Sequence, residues 1–138
     1  MGSTVERDIE AFLSRPHFAV VGASTNRSKY GNKVLRCYQQ NGRSVTPVNP
    51  RATEIEGIPA VPDLSLVEPR DCGVSIITPP AITEAVIDEA ISLGISHLWL
   101  QPGSESPAAI ARAEKEGLVV IHGGPCLLVV LGFRESGD

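Results

Sequence analysis

Short apolar runs alternate with helix-periodic segments along this chain, and no other feature constrains its fold as strongly. Phe18–Val21, Gly73–Ile77, His97–Leu100 and Leu118–Ile121 read as strands, and Ser44–Val48, rich in β-branched residues, as a fifth. Between them lie three helical segments. Asn32–Gln40 carries Val34, Leu35 and Tyr38 at helical spacing. Ala81–Leu93 places Ile82, Val86, Ala90 and Leu93 on one face, and Ser106–Glu116 is the third. Asn41-Gly42, Gly94 and Gly117 supply their C-terminal stops. Ser3-Thr4-Val5-Glu6 has the form of a capping box opening an earlier amphipathic helix, with Ile9, Phe12 and Leu13 on one side. The stretch 49–69 contains Pro50, Pro59, Pro62 and Pro69 and reads as loop, with a helical turn at Asp63–Val67. Gly123–Phe133 fits either a short helix or an edge strand.

Continuous apolar strands interleaved with helices predict an α/β fold: a Rossmann-like, doubly wound parallel sheet of about five strands, with right-handed crossovers. At 138 residues the chain has the length of a single domain. We divide it into an N-terminal helix over 1–16, a core over 17–128 and a tail over 129–138.

Composition removes several function classes. The longest apolar run, Cys126–Gly132, falls far short of the roughly 20 residues needed to span a bilayer. Glu6, Asp8 and Glu10 stand where a signal peptide would be apolar, and Glu6 breaks the myristoylation pattern after Gly2. With 42% hydrophobic and 20% charged residues, the chain is neither disordered nor membrane-embedded in character. Cys37, Cys72 and Cys126 are odd in number and widely spaced, with no paired motif for a disulfide framework or a zinc site. A reducing, cytoplasmic compartment follows, and no metal site is expected. His17, His97 and His122 each flank a strand and read as satisfied structural histidines.

The net charge of −4 argues against nucleic acid as a partner. Its distribution is lopsided, however. Between Ala11 and Thr53 stand Arg15, Arg27, Lys29, Lys33, Arg36, Arg43 and Arg51 with no acidic residue among them, a segment suited to a compact anion.

In a sheet of this kind, ligands bind outside the carboxyl ends of the strands. Those ends are Gly22-Ala23-Ser24, Asn49-Pro50-Arg51, Thr78-Pro79-Pro80, Gln101-Pro102-Gly103 and Gly123-Gly124-Pro125. The first leads into a helix and carries Arg27 and Lys29. Its small residues let backbone N–H groups approach a phosphate, with the helix dipole behind them. Ser24 and Arg27 occupy the places of the second and third glycines of a dinucleotide fingerprint. Asn49, with Arg51 beyond it, replaces the acidic residue that would hold the ribose hydroxyls of NAD. Plain NAD is therefore disfavoured, and NADP and coenzyme A, each with an extra ribose phosphate, both stay open. No P-loop, nucleophile elbow or H-E-x-x-H pair is present. Cys126 is the one candidate nucleophile, although free cysteines are more commonly buried and inert.

Val20-Val21-Gly22-Ala23-Ser24, Pro47-Val48-Asn49-Pro50-Arg51, Ile76-Ile77-Thr78-Pro79-Pro80 and Gly123-Gly124-Pro125-Cys126 together resemble the CoA-binding domain family. That module begins the alpha subunit of succinyl-CoA synthetase and also occurs as small stand-alone proteins. The resemblance spans about Phe18 to Leu128, and its most specific element is Val-Asn-Pro-Arg. It implies coenzyme A as ligand, with Gly22, Ala23, Ser24, Arg27, Lys29 and Tyr30 at the pyrophosphate. Asn49, Pro50 and Arg51 would meet the ribose phosphate. Thr78, Pro79 and Pro80 would flank adenine or ribose, and Gln101 and Pro102 would border the crevice. The synthetases carry their phosphorylated histidine and nucleotide-grasp machinery in other domains, and His122 does not match that histidine. The resemblance thus implies binding of CoA or acyl-CoA without catalysis. The alternatives are an NADP-binding oxidoreductase or NADP-sensing domain, and a module that assembles with a separate catalytic subunit. Leu127–Leu131 is a candidate homo-oligomer interface.

Overall fold

A computed structural model describes residues 4–135 of the chain. The elements run α1 (Thr4–Leu13), β1 (His17–Val21), α2 (Tyr30–Gln40), β2 (Val45–Val48), β3 (Glu54–Ile55), β4 (Ile58–Pro59) and a 3-10 turn (Leu64–Leu66). They continue β5 (Cys72–Ile76), α3 (Pro80–Leu93), β6 (His97–Leu100), α4 (Pro107–Lys115), β7 (Val119–Ile121) and α5 (Leu127–Leu131). The expected cap at Ser3 lies outside the described residues.

Five strands form one parallel sheet in the order β2-β1-β5-β6-β7. The fold is therefore the expected doubly wound α/β type. From β1 the chain winds outward through α2 to β2. It then crosses back to β5 and winds the other way through α3 and α4. The connections after β1 and β5 diverge to opposite faces, which leaves a crevice at the carboxyl ends of these two neighbouring strands.

Alternate side chains of each strand feed two cores. Ala19, Val74, Ile76, Leu98 and Leu100 pack under α3, α4 and the 3-10 turn. Phe18, Val20, Trp99 and Ile121 pack under α1, α2 and α5. In the second core Phe12 lies edge-on to Trp99 at 5.4 Å, and Phe18 stacks on Tyr38 at 4.8 Å. Gly73 admits this layer, since a Cβ there would sit 2.8 Å from the Phe12 ring. His17 is satisfied as expected: its ring nitrogens meet the hydroxyls of Ser44 and Thr46, both at 2.7 Å.

Two local expectations change, and a third that was open between helix and strand is resolved. The core face of α3 is Thr83, Val86, Ile87 and Ala90, whereas Ile82 is exposed and borders the crevice. The proline-rich stretch is not all loop. It holds the β3–β4 hairpin, turned by Glu56 and Gly57, both at positive φ (51° and 80°). The ambiguous stretch after Gly123 forms helix α5, which spans the boundary drawn at 128/129.

Candidate ligand-binding crevice

The β1–α2 loop is shaped by two glycines. Gly22 has φ +96°, and a Cβ on it would lie 2.0 Å from the carbonyl oxygen of Ile77, just beyond β5. Gly31, in the first turn of α2, would place a Cβ 2.0 Å from the carbonyl oxygen of Gly22. Together they let the start of α2 descend onto the end of β1. Gly31 thus provides the close helix–strand approach that a fingerprint's third glycine provides elsewhere. Between them the loop is held by its own polar groups. Ser24 Oγ accepts from the Asn26 N–H (3.0 Å), and Asn26 Oδ1 accepts from the Ser28 N–H (3.0 Å). The N-cap residue of α2, Lys29, makes no side-chain cap. The helix therefore presents uncapped N–H groups and the positive end of its dipole, which favour an anion.

Asn49 braces the neighbouring strand end. Its Nδ2 donates to the carbonyl of Ala23 (2.8 Å), and its Oδ1 accepts from the N–H groups of Arg51 (2.7 Å) and Ala52 (3.0 Å). Asn49 sets the spacing of the β1 and β2 loops and leaves the Arg51 side chain exposed.

Two hollows open along this edge. One, of about 250 Å³, is lined by Gly22, Ala23, Asn49, Pro50 and Thr78, with Val21, Val48, Pro62, Asp63, Leu64, Ile82, Val86 and Glu89. The other, of about 330 Å³, is lined by Tyr30, Ile77, Thr78, Pro79, Pro102, Gly103 and Ser104. Thr78 borders both, so they form one crevice across the carboxyl ends of β2, β1, β5 and β6. Ser24, Arg27, Lys29, Arg51 and Pro80 flank it without lining either hollow.

The basic segment is largely committed elsewhere. Arg15 pairs with Asp71 and Arg27 with Glu56, while Lys33 and the buried Arg36 both reach Glu135. Arg43 donates to the Leu13 carbonyl and lies over the Phe18 ring. Of these seven cations, Lys29 and Arg51 alone have no side-chain hydrogen bond or ion pair among the described residues, and both flank the crevice.

Residues 16–132 match the family described as "CoA binding domain". The chain belongs to the CoA-binding domain family. It is 25% identical over 122 residues to "Uncharacterized protein YneT" of Bacillus subtilis (strain 168), covering 88% of this chain and 90% of that one. A conserved hypothetical protein from Pyrococcus furiosus is 36% identical with a TM-score of 0.78, covering 83% of this chain and 97% of the other. The dinucleotide-forming acetyl-coenzyme A synthetase 1 of Ca. Korarchaeum cryptofilum is 30% identical with a TM-score of 0.67. There the match covers 76% of this chain and 25% of the synthetase.

Beside the second hollow, this CoA-binding domain holds a polar chain that runs from half-buried Tyr30 and Cys126 to buried Gln101. The Tyr30 hydroxyl donates to Gln101 Oε1 (3.2 Å) and hydrogen-bonds Cys126 Sγ. Gln101 Oε1 also accepts the Leu127 N–H (3.0 Å). Gln101 is fully buried, so it supports the crevice wall from behind rather than bordering it. Burial, with the Cys126 contact second, raises the Tyr30 phenol well above its ordinary range and keeps it protonated.

Gly31, Asn32 and Glu56 were not foreseen. Asn32 Nδ2 donates to the Ser24 carbonyl (2.8 Å) and to Glu56 Oε2 (3.1 Å), and Glu56 Oε1 meets Arg27 at 3.2 Å. The β3–β4 turn is thereby strapped to the start of α2. Asp63 and Glu89 on the first hollow were also missed, because neither lies at a strand end.

Proposed function

We propose that this domain binds coenzyme A or an acyl-CoA as a stand-alone, cytoplasmic binding protein and performs no chemistry of its own. The observation that carries the reading is the crevice at the point where the winding reverses: two hollows joined at Thr78, beside an uncapped helix N-terminus. A nucleotide joined to a long flexible arm needs such a site. Small residues admit its pyrophosphate, and the hollow on either side takes one end. Membership of the family supports CoA as that ligand. The match spans most of the Bacillus and Pyrococcus relatives but a quarter of the synthetase chain, which supports reading this module as one that also occurs apart from the synthetase.

A thermal-shift panel with CoA, acetyl-CoA, NADP and NAD at equal concentration tests the reading. Ligand at 100 times its Kd adds about 2.7 kcal/mol. That raises the Tm of a domain this size by about 5–20 °C. CoA and acetyl-CoA are expected to shift the melt and NAD to leave it unchanged. A shift with NADP alone would replace this reading with the oxidoreductase or sensor alternative.

A further inference from the structure

On α3, Ile82, Val86 and Glu89 stand at i, i+4 and i+7, and all three line the first hollow. A helix stripe facing an apolar wall of Val21, Val48, Pro62 and Leu64 would ordinarily continue with an apolar residue. Here a half-buried carboxylate takes that place, and among the described residues it has neither a hydrogen-bond nor an ion-pair partner. The other acid on this hollow, Asp63, is already engaged: its Oδ1 accepts the N–H and hydroxyl of Ser65. Glu89 is therefore a free acceptor on the wall of a largely apolar hollow, an arrangement typical of groups that orient a ligand. No basic residue lines this hollow, so the phosphates of an anionic ligand are kept outside it, toward Lys29 and Arg51. What suits the hollow is a flat, uncharged ring that presents an N–H donor.

Building on the CoA-binding reading, we propose that the first hollow takes the adenine base and that Glu89 accepts a hydrogen bond from its exocyclic 6-amino group. Glu89 then sets base specificity. A 6-oxo purine turns a carbonyl oxygen toward the carboxylate, which has no proton to share.

The test is calorimetric titration of wild-type protein and Glu89→Gln with CoA and with its 6-deaminated (hypoxanthine) analogue. Wild type is expected to favour CoA by about tenfold to a hundredfold, the value of one hydrogen bond to a charged group. In Glu89→Gln the carboxamide donates to a 6-oxo group as readily as it accepts from an amino group, so the preference collapses or inverts. A role confined to folding would lower both affinities and leave their ratio intact, which overturns the proposal. So does equal binding of the two ligands by wild type, with the CoA-binding reading left standing. If wild type binds neither ligand, both readings fall.

Discussion

Gly31 stands so close above Gly22 that a Cβ on the one would lie 2.0 Å from the carbonyl oxygen of the other. This contact seats the start of α2 on the end of β1 and fixes the floor of the crevice. The colliding atom is backbone, so Gly31→Ala cannot be absorbed by a side-chain rotation. We expect Gly31→Ala to destabilise the fold by about 1–3 kcal/mol. CoA binding should weaken even where the protein stays folded, as read by chemical denaturation and calorimetry on the same sample. Wild-type stability would show that the two elements separate freely.

Arg51 is exposed, without a side-chain partner among the described residues, and held beside the crevice by the Asn49 turn. In the CoA reading it meets the ribose phosphate. Arg51→Ala should weaken CoA by about tenfold, at the lower end of the 1.5–3 kcal/mol typical of a charge-assisted hydrogen bond. Dephospho-CoA, which lacks that phosphate, should be little affected. Equal losses for the two ligands would remove Arg51 from this role.

The three cysteines should differ sharply toward a thiol reagent. Cys37 and Cys72 are buried, and burial pushes each thiol up to about 11. Cys126 is partly accessible and touches Tyr30 on the wall of the second hollow. Native protein should therefore release one equivalent promptly and the other two only on unfolding. Acetyl-CoA, which has no free thiol to consume the reagent, should slow that first equivalent when it occupies the crevice. Three equally fast thiols would contradict the packing of α2 and β5.

His17 makes stability depend on pH. Its neutral ring is satisfied by Ser44 and Thr46, and burial holds its pKa below the unfolded value of 6.5. The unfolded chain then binds the proton more readily than the folded one. The stabilisation is complete above pH 6.5 and is lost as pH falls toward the lowered folded pKa. His97, lowered chiefly by burial as well, acts in the same direction. Melting curves from pH 7.5 to 5 should show a falling Tm, and His17→Gln should flatten that slope. A Tm that rises on acidification would contradict the buried, neutral ring.

Much of this could be read from the chain because the decisive signals are local. The runs Phe18–Val21 and His97–Leu100 declare buried strands by continuity alone, and the residues that follow such strands mark the ligand edge by rule. Other features rest on contacts between distant residues. Glu56 reaches Asn32 across 24 positions, and nothing around either residue announces the pair. The β3–β4 hairpin has two residues per strand, and its turn uses Glu-Gly where Asn-Gly or Asp-Gly would be the recognisable signal. Ile82 fits the period of Val86 and Ala90. Only the packing of Thr83 and Ile87 against the sheet shows that the buried face is turned away from it. Of the basic segment, the sequence displays the charge but not the acids, Asp71, Glu56 and Glu135, that neutralise much of it.

The most direct test of the CoA-binding reading is a map of backbone amide chemical shifts on addition of CoA. Changes are expected at Gly22–Tyr30, Asn49, Arg51, Thr78 and Gly103–Ser104, and at Glu89 on α3. The opposite edge of the sheet, at His17, Ser44 and Ser96, should stay unmoved. Changes centred on that opposite edge, or none at saturating CoA, would contradict it.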